Sequence, residues 1–489
     1  MPNIYDIAYW SGLIVSSPYW LLTTSARQKV LKAFSQRSGR VPARDNAAPA
    51  VMIHAVSLGE MNATRGLVER LRVLRPDLDF IITSTTDTGL VRAQELYGLH
   101  PKPVEPPSPA PGLLDSEPEV SHFTLLRYPL DFTGAVTRLL DNLRPSAVVL
   151  MELEIWPNFL RQCEVRNIPV MVVNGRVTEP SFRKYRLVRA VTRKMFSRLS
   201  AACVQEQVYA DRFRDLGLPA ERIAVTGTMK FDTATVSSRV PGDELLCDEL
   251  QIRPMCLFPQ APDAQRFWVC GSTGPGEEEI VLRQYRQLLA RHARLRLAIV
   301  PRKPERFDEV AQLILDQRFQ LVRRSKTVPA TQKDQLLAFL SGSPAPQGEP
   351  PEPASTLLPP VILGDTMGEL RKFYSLADVV FVGRSLVDLG ARQHGSDMIE
   401  PAALGKPVIT GPFTGNFADA MSRFRAADAM LEVSTAEELG QAVSILLSSP
   451  VRAAEMGSRA QAVVTGEKGA TERHVRQILK LLPAAEQAG

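Results

Sequence analysis

From Ala50 onward, short apolar runs alternate with longer stretches in which apolar residues recur at helical spacing. A parallel sheet is covered by helices on both faces, so its strands read as near-continuous apolar runs rather than as alternating patterns. VMIHAV (51–56), DFIITS (79–84), SAVVLM (146–151), IPVMVVN (168–174) and LSAACV (199–204) are therefore expected as strands of one sheet. FWVCG (267–271), LRLAIVP (295–301), PPVILG (359–364), DVVFVG (378–383) and KPVIT (406–410) form a second set. Helical periodicity closes the chain near 435–447, 451–466 and 471–482. The pattern predicts an α/β protein with two Rossmann-like sets in tandem. No G-x-G-x-x-G follows any strand, which disfavours a dinucleotide-dependent dehydrogenase.

Between the sets, Ser237 to Ala264 carries Pro241, Pro254, Pro259 and Pro262 without helical period and reads as an interdomain linker or surface excursion. The expected domains are thus 46–236 and 265–489. Two proline-rich inserts, 101–120 and 341–360, have too little apolar content to pack and are expected as surface loops without chemistry.

The segment 1–45 differs from the rest. Ile7 to Ala26 contains no charge, carries Tyr9, Trp10, Tyr19 and Trp20, and is followed by Arg27, Lys29, Lys32, Arg37, Arg40 and Arg44. Aromatic residues favour the membrane interface, and basic residues favour anionic headgroups on the cytoplasmic side. Pro18 and several serines and threonines temper its apolar character. A membrane-anchor helix, spanning or interfacial, is expected, with the body of the protein on the cytoplasmic face of the inner membrane; a helix packed on the core is the alternative.

The composition of the 489 residues, 44% apolar and 23% charged, excludes disordered and disulfide-scaffold classes. A net charge of +5 from dispersed basic residues gives no argument for nucleic acid. Five cysteines without a C-x-x-C pair point to reduced thiols, and scattered histidines give no metal signal. Nothing in the chain specifies an oligomeric state.

Ligands of open α/β sheets bind at the carboxyl ends of strands, so the residues there hold the candidate chemistry. In HAVSLGE, Ser57 and Gly59 form a turn and Glu60 starts a helix, where it either serves as a general base or completes the helix N-terminus. In MELEIWPN, Glu152 and Glu154 lie two apart at a strand end, and extended geometry would point both to one side. Arg176, Arg183, Lys184 and Lys230 are cations near other strand ends. In the second half, Ser272 and Thr273 lead from a strand through GSTGPG to a helix near Pro275, an arrangement that receives phosphate on backbone N–H groups but lacks the lysine of a Walker A loop. Arg302 and Arg306 follow the next strand; Met367 and Gly368 lie in the turn GDTMG; Glu400 starts a helix, where a carboxylate can take ribose hydroxyls. Together these turns suggest a nucleotide site.

At these residues the chain resembles a known family. HAVSLGE, RYPLD, MELEIWPN, NGRVTEPS, GTMKFD, GSTGPGEEE, VPRKPERF, LGDTMGEL and EPAALGKPVITGP, with Asn416 and Phe417, are similar in order and content to blocks of the 3-deoxy-D-manno-octulosonic acid (Kdo) transferases. The resemblance implies a GT-B fold, two Rossmann-like domains facing across a cleft. It also implies an inverting glycosyltransferase that moves Kdo from CMP-Kdo to the lipid A precursor, without metal or cofactor. By position it makes Glu60 the proton acceptor and Glu154 and Lys230 stabilisers of the transition state. Pro301, Arg302, Met367, Gly368 and Glu369 would hold the cytidine monophosphate, with Asp397, Met398, Ile399 and Glu400 closing that site beside Ser272 and Thr273. Ser57, Gly59, Glu152 and Arg176 would line the acceptor side. The chain departs from the family pattern at Leu153, Gly274 and Lys303, and its loop 386–401 is longer. A sugar-nucleotide 2-epimerase or a UDP-sugar-dependent transferase of the same architecture is the alternative.

Overall fold

The computed structural model describes residues 3–22, 34, 37–98, 122–327, 358–390 and 393–484. The insert expected at 101–120 and residues 341–357 of that expected at 341–360 lie outside these residues, as do Arg27, Lys29 and Lys32; the last three positions of the second insert, 358–360, are strand rather than loop. The chain forms two compact units, Met1–Thr233 with Glu467–Gly489, and Ala234–Gly466. Residues 265–489, assigned from the sequence to one domain, therefore divide between both units.

The first unit is built on a parallel sheet ordered β3-β2-β1-β4-β5-β6-β7. Its strands are β1 Ala50–His54, β2 Asp79–Ser84, β3 Phe123–Arg127, β4 Ala147–Met151, β5 Val170–Gly175, β6 Ala201–Val204 and β7 Ile223–Val225. β1, β2, β4 and β5 are buried at every position, which is why their sequences are unbroken apolar runs. Val51, Ile53 and Phe80 lie in one core with Ala470, Val475 and Ile478, whereas Met52, Val148 and Val172 lie in another. Ala470, Val475 and Ile478 belong to the last helix, Ala470–Leu479, so the end of the chain completes the core of the first unit.

The second unit holds a parallel sheet ordered β10-β11-β9-β8-β12-β13-β14. Its strands are β8 Arg266–Thr273, β9 Leu295–Pro301, β10 Phe319–Arg323, β11 Leu358–Leu363, β12 Val379–Val382, β13 Val408–Thr410 and β14 Leu431–Glu432. All ten expected strands are present. The four additional ones, β3, β7, β10 and β14, are the outermost strands of the two sheets, where partial exposure dilutes the apolar signal.

The linker expectation is corrected here. The stretch 237–264 is not devoid of helix: DELLCDEL forms Asp243–Leu250, with two acids in its first turn and Leu246, Cys247 and Leu250 buried, inside the second unit. At the N-terminus, α1 (Ile4–Leu22) is helical, but among the described residues no helix is long and apolar enough to cross a membrane. Its first turns are seated on the first unit through polar contacts. Asp6 accepts from the Thr133 amide (2.8 Å) and hydroxyl (2.6 Å), and the Tyr9 hydroxyl donates to Asp131 (3.0 Å). Ile4, Ile7, Ile14 and Val15 are exposed. Arg37 and Arg44, expected at headgroups, turn inward instead: Arg37 donates to the carbonyls of Tyr128 (2.8 Å) and Pro129 (3.3 Å), and Arg44 pairs with Asp79 (3.2 Å).

Candidate functional site

In the first unit the strand order reverses between β1 and β4, and the crevice outside such a reversal is where open sheets take ligands. The loops leaving these two strands carry the predicted carboxylates. After β1, Ser57 is the N-cap of α2 (Leu58–Leu74). Its hydroxyl accepts from the Glu60 amide (3.2 Å), and the Glu60 carboxylate accepts from the amides of Val56 (2.9 Å) and Ser57 (3.3 Å), a complete capping box. Glu60 therefore does complete the helix N-terminus, and the same bonds fix its carboxylate at the strand end. Gly59 and Ser57 are exposed beside it.

After β4 the chain turns at once rather than staying extended. Glu152 has φ of 56°, a left-handed conformation that a glutamate adopts only under constraint, so the expected alternation of Glu152 and Glu154 does not operate. The turn leads into α3 (Pro157–Val165), whose preceding residue, Trp156, donates its indole N–H to Glu154 (3.1 Å). Burial pushes the Glu152 carboxyl above its ordinary pKa and the charge of Glu60 adds to this, while Lys230 and Arg176 oppose it. Glu154 is raised in the same way by burial and by Glu60, against the Trp156 bond and Arg37. Glu60, Glu152, Glu154, Lys230 and Arg176, far apart in sequence, thus act on one another in one field. Arg183, by contrast, is spent on Glu179 (2.9 Å).

The turn Met229–Phe231 that carries Lys230 is braced by the end of the chain. Asp232 accepts from the amide of Gly469 (2.6 Å) and from that of Thr471 at the start of α4 (Ala470–Leu479). His474, fully buried on α4, contacts Ala470 O through Nδ1 (2.7 Å), which leaves Nε2 to accept from the Asn174 amide (2.9 Å). The Asn174 side chain in turn accepts from the Met229 amide (3.2 Å), one residue before Lys230.

In the second unit the order reverses between β8 and β12. β9 lies on the other side of β8, and Thr273 pairs with Pro301 at the strand ends. The Arg302 amide donates to Thr273 O (3.1 Å), which sets the exposed Arg302 side chain at this edge. Ser272, like Glu152, is left-handed, with φ of 56°. The turns after β8 and β12 are tied by Glu277, wholly buried at the start of its helix. Oε2 accepts from the amides of Gly274 (2.9 Å) and Arg384 (2.6 Å), and Oε1 from those of Ser385 (2.8 Å) and Leu386 (2.9 Å). Burial raises the Glu277 pKa, and those four bonds oppose the rise.

The remaining predicted donor residues divide into two groups. Glu400 lies within the fields of Asp397, Arg371 and Arg302; burial and then Asp397 push its carboxyl up to about 7. Met367 is exposed, and Gly368 has φ of 82° in the turn after β11. Glu369, however, is engaged by Arg324 (2.9 and 3.0 Å), Thr366 (2.5 Å) and Lys372 (3.3 Å). Burial alone would raise its carboxyl, but these partners hold it at about 2. Met398 and Ile399 are fully buried, and the Ile399 amide is taken by the Asp397 carboxylate (2.8 Å). Arg306 is forked onto Glu278 (2.6 and 3.2 Å) and also bound to Glu309, a structural pair rather than a free anion holder.

Sequence reasoning read Arg37 as a headgroup contact and passed over Glu277, Arg384 and His474. Arg384 follows β12 in a strand–Gly–Arg turn like those that were singled out, so its signal was present. His474 gave none, because only the fold brings it to the first unit.

The fold is shared with known proteins. UDP-GlcNAc 2-epimerase from Neisseria meningitidis, solved bound to UDP-GlcNAc, superposes with a TM-score of 0.51 at 15% identity, covering 88% of this chain and 100% of that one. This is the class of paired parallel α/β units to which GT-B glycosyltransferases belong. Residues 32–233 match the family described as 3-deoxy-D-manno-octulosonic-acid transferase (kdotransferase). The 3-deoxy-D-manno-octulosonic acid transferase of Haemophilus influenzae is 34% identical over 424 residues, 86% of this chain and 85% of that one. That of Bordetella pertussis is 31% identical over 457 residues, 93% and 90% of the respective chains. The chain belongs to the Kdo transferase family and is a glycosyltransferase.

Proposed function

We propose that this transferase moves Kdo from CMP-Kdo to a hydroxyl of the lipid A precursor, with inversion at the anomeric carbon, as a step of lipopolysaccharide biosynthesis at the cytoplasmic face of the inner membrane. The observation that carries the reading is the placement of Glu60: a carboxylate fixed by two amides at the strand-order reversal of the first unit, in the field of Glu152, Glu154, Lys230 and Arg176. Family membership supports Kdo as the sugar transferred.

In the proposed step, Glu60 accepts the proton of the acceptor hydroxyl while that oxygen forms its bond to the anomeric carbon. The bond from that carbon to the phosphate oxygen breaks, and CMP leaves with the electron pair. Attack from the face opposite the phosphate inverts the centre. Lys230 and Glu154 act on charge at the reacting carbon, and the donor's phosphate falls to Arg302 and the amides of the turn after β8. Exposed Ile4, Ile7, Ile14 and Val15, on a helix seated through Asp6 and Tyr9, support an interfacial rather than spanning contact of α1 with lipid.

Glu60→Gln tests the reading because the glutamine oxygen still accepts one of the two amides at the capping box, so the helix start is largely retained while the base is lost. Transfer from CMP-Kdo to the lipid A precursor is expected to fall by about 100-fold or more, in the range of general-base catalysis. Unchanged transfer would remove Glu60 from its role, and turnover of UDP-sugars in place of CMP-Kdo would overturn the donor assignment.

A further inference from the structure

Arg384 combines three features that the fold alone does not require. Its φ is 57°, in the left-handed region that glycine occupies freely and arginine does not. Its Nε is buried and has no hydrogen-bond partner. Its neighbouring charge is of the same sign: burial, and then Arg302, lower the Arg384 pKa. Glu277 acts on it favourably, but both oxygens of that carboxylate are already occupied by four amides. Strain of this kind persists where surrounding contacts enforce it, and it concentrates at ligand sites.

The position gives these features a direction. β9 and β12 flank β8, so Arg302 and Arg384 leave the two strands on either side of the GSTGPG turn. The aliphatic stem of Arg384 crosses that turn closely enough that a Cβ added to Gly274 would lie 3.0 Å from its Cγ. Two arginines therefore leave the strands on either side of a small-residue turn at the strand-order reversal, within each other's field, and neither has a carboxylate partner among the described residues. An arginine fork held without an anion is matched to a phosphate, which accepts two parallel N–H bonds.

We infer that Arg384, with Arg302, binds the phosphate of the nucleotide-sugar donor, its Nε and terminal N–H groups donating to the phosphate oxygens as they acquire charge on departure. This rests on the donor-site reading given above and adds to it a second cation. It also accounts for the strain: the left-handed turn is what carries the side chain of residue 384 over Gly274 rather than away from the edge.

Arg384→Gly is a clean test, because glycine accepts the observed φ and the variant is expected to melt at or above the wild-type temperature. Binding of CMP and of cytidine, which lacks the phosphate, is measured by calorimetry on the full chain at low and high salt. The expected result is a Kd for CMP raised about tenfold or more, with cytidine affinity unchanged and the salt dependence of CMP binding reduced. Arg384→Lys should fall between, since an ammonium supplies charge without the fork. CMP bound as tightly by the glycine variant as by wild type overturns the inference, and so does an equal loss for CMP and cytidine. If wild type binds uridine nucleotides instead of CMP, the CMP-Kdo reading fails, and the same comparison on UMP and uridine still decides the role of Arg384.

Discussion

Replacing Glu277 with glutamine keeps the length and shape of the side chain but turns one of its two acceptor oxygens into an NH2 donor. Each oxygen now receives two amides, Gly274 and Arg384 on one side and Ser385 and Leu386 on the other. Whichever way the amide is oriented, two buried N–H groups lose their acceptor and face another donor. An unsatisfied buried group costs about 1–3 kcal/mol, and hydrogen bonds to a charged acceptor contribute about 1.5–3 kcal/mol each. Removing a buried charge gives back part of this, a few kcal/mol at most once partners are lost. Four charge-assisted bonds outweigh that relief, so a net loss of about 2–4 kcal/mol is expected for the second unit. Trp268, fully buried in β8 and the one tryptophan of that unit, reports its unfolding by fluorescence in a urea titration. A loss under about 0.5 kcal/mol, the range of surface substitutions, would refute the claim that Glu277 ties the two turns together.

Glu400 gives a pH-dependent prediction. Its folded pKa, raised to about 7 by burial and by Asp397, lies above its unfolded value, so its contribution is fully present below the unfolded pKa and is lost as pH rises through 7. Glu400→Gln lacks this loss, and its melting temperature relative to wild type should therefore rise between pH 5 and pH 8; a constant difference would contradict the assignment. His474→Phe keeps ring volume but leaves the Asn174 amide without its acceptor, so kcat is expected to fall about tenfold while CMP affinity, which the proposed donor site assigns to the other unit, stays unchanged. His474→Gln, which can place an oxygen near the Nε2 position, should restore most of that activity, and equal losses in both variants would count against positioning of Lys230.

The sequence by itself determined the ten inner strands, because a strand covered on both faces must be apolar at nearly every position, and no other element of that length looks the same. It also located the turns after β1, β4, β8 and β9, since parallel strands deliver all their carboxyl ends to one edge. The four outermost strands escaped for the converse reason: half exposed, FTLLR and IAV carry no run long enough to separate from loop. Only the tertiary structure decided what the charged residues do there. Glu369 and Arg306 matched the expected pattern, yet their partners Arg324 and Glu278 come from other helices and engage them in ion pairs. Arg37, read as a headgroup contact, turns inward to the carbonyls of Tyr128 and Pro129. His474 meets Asn174 across 300 positions of sequence, a contact that exists only because the last helix returns to the first unit. Periodicity records which faces are dry; which charges meet is set by long-range closure of the chain, and no local pattern encodes it.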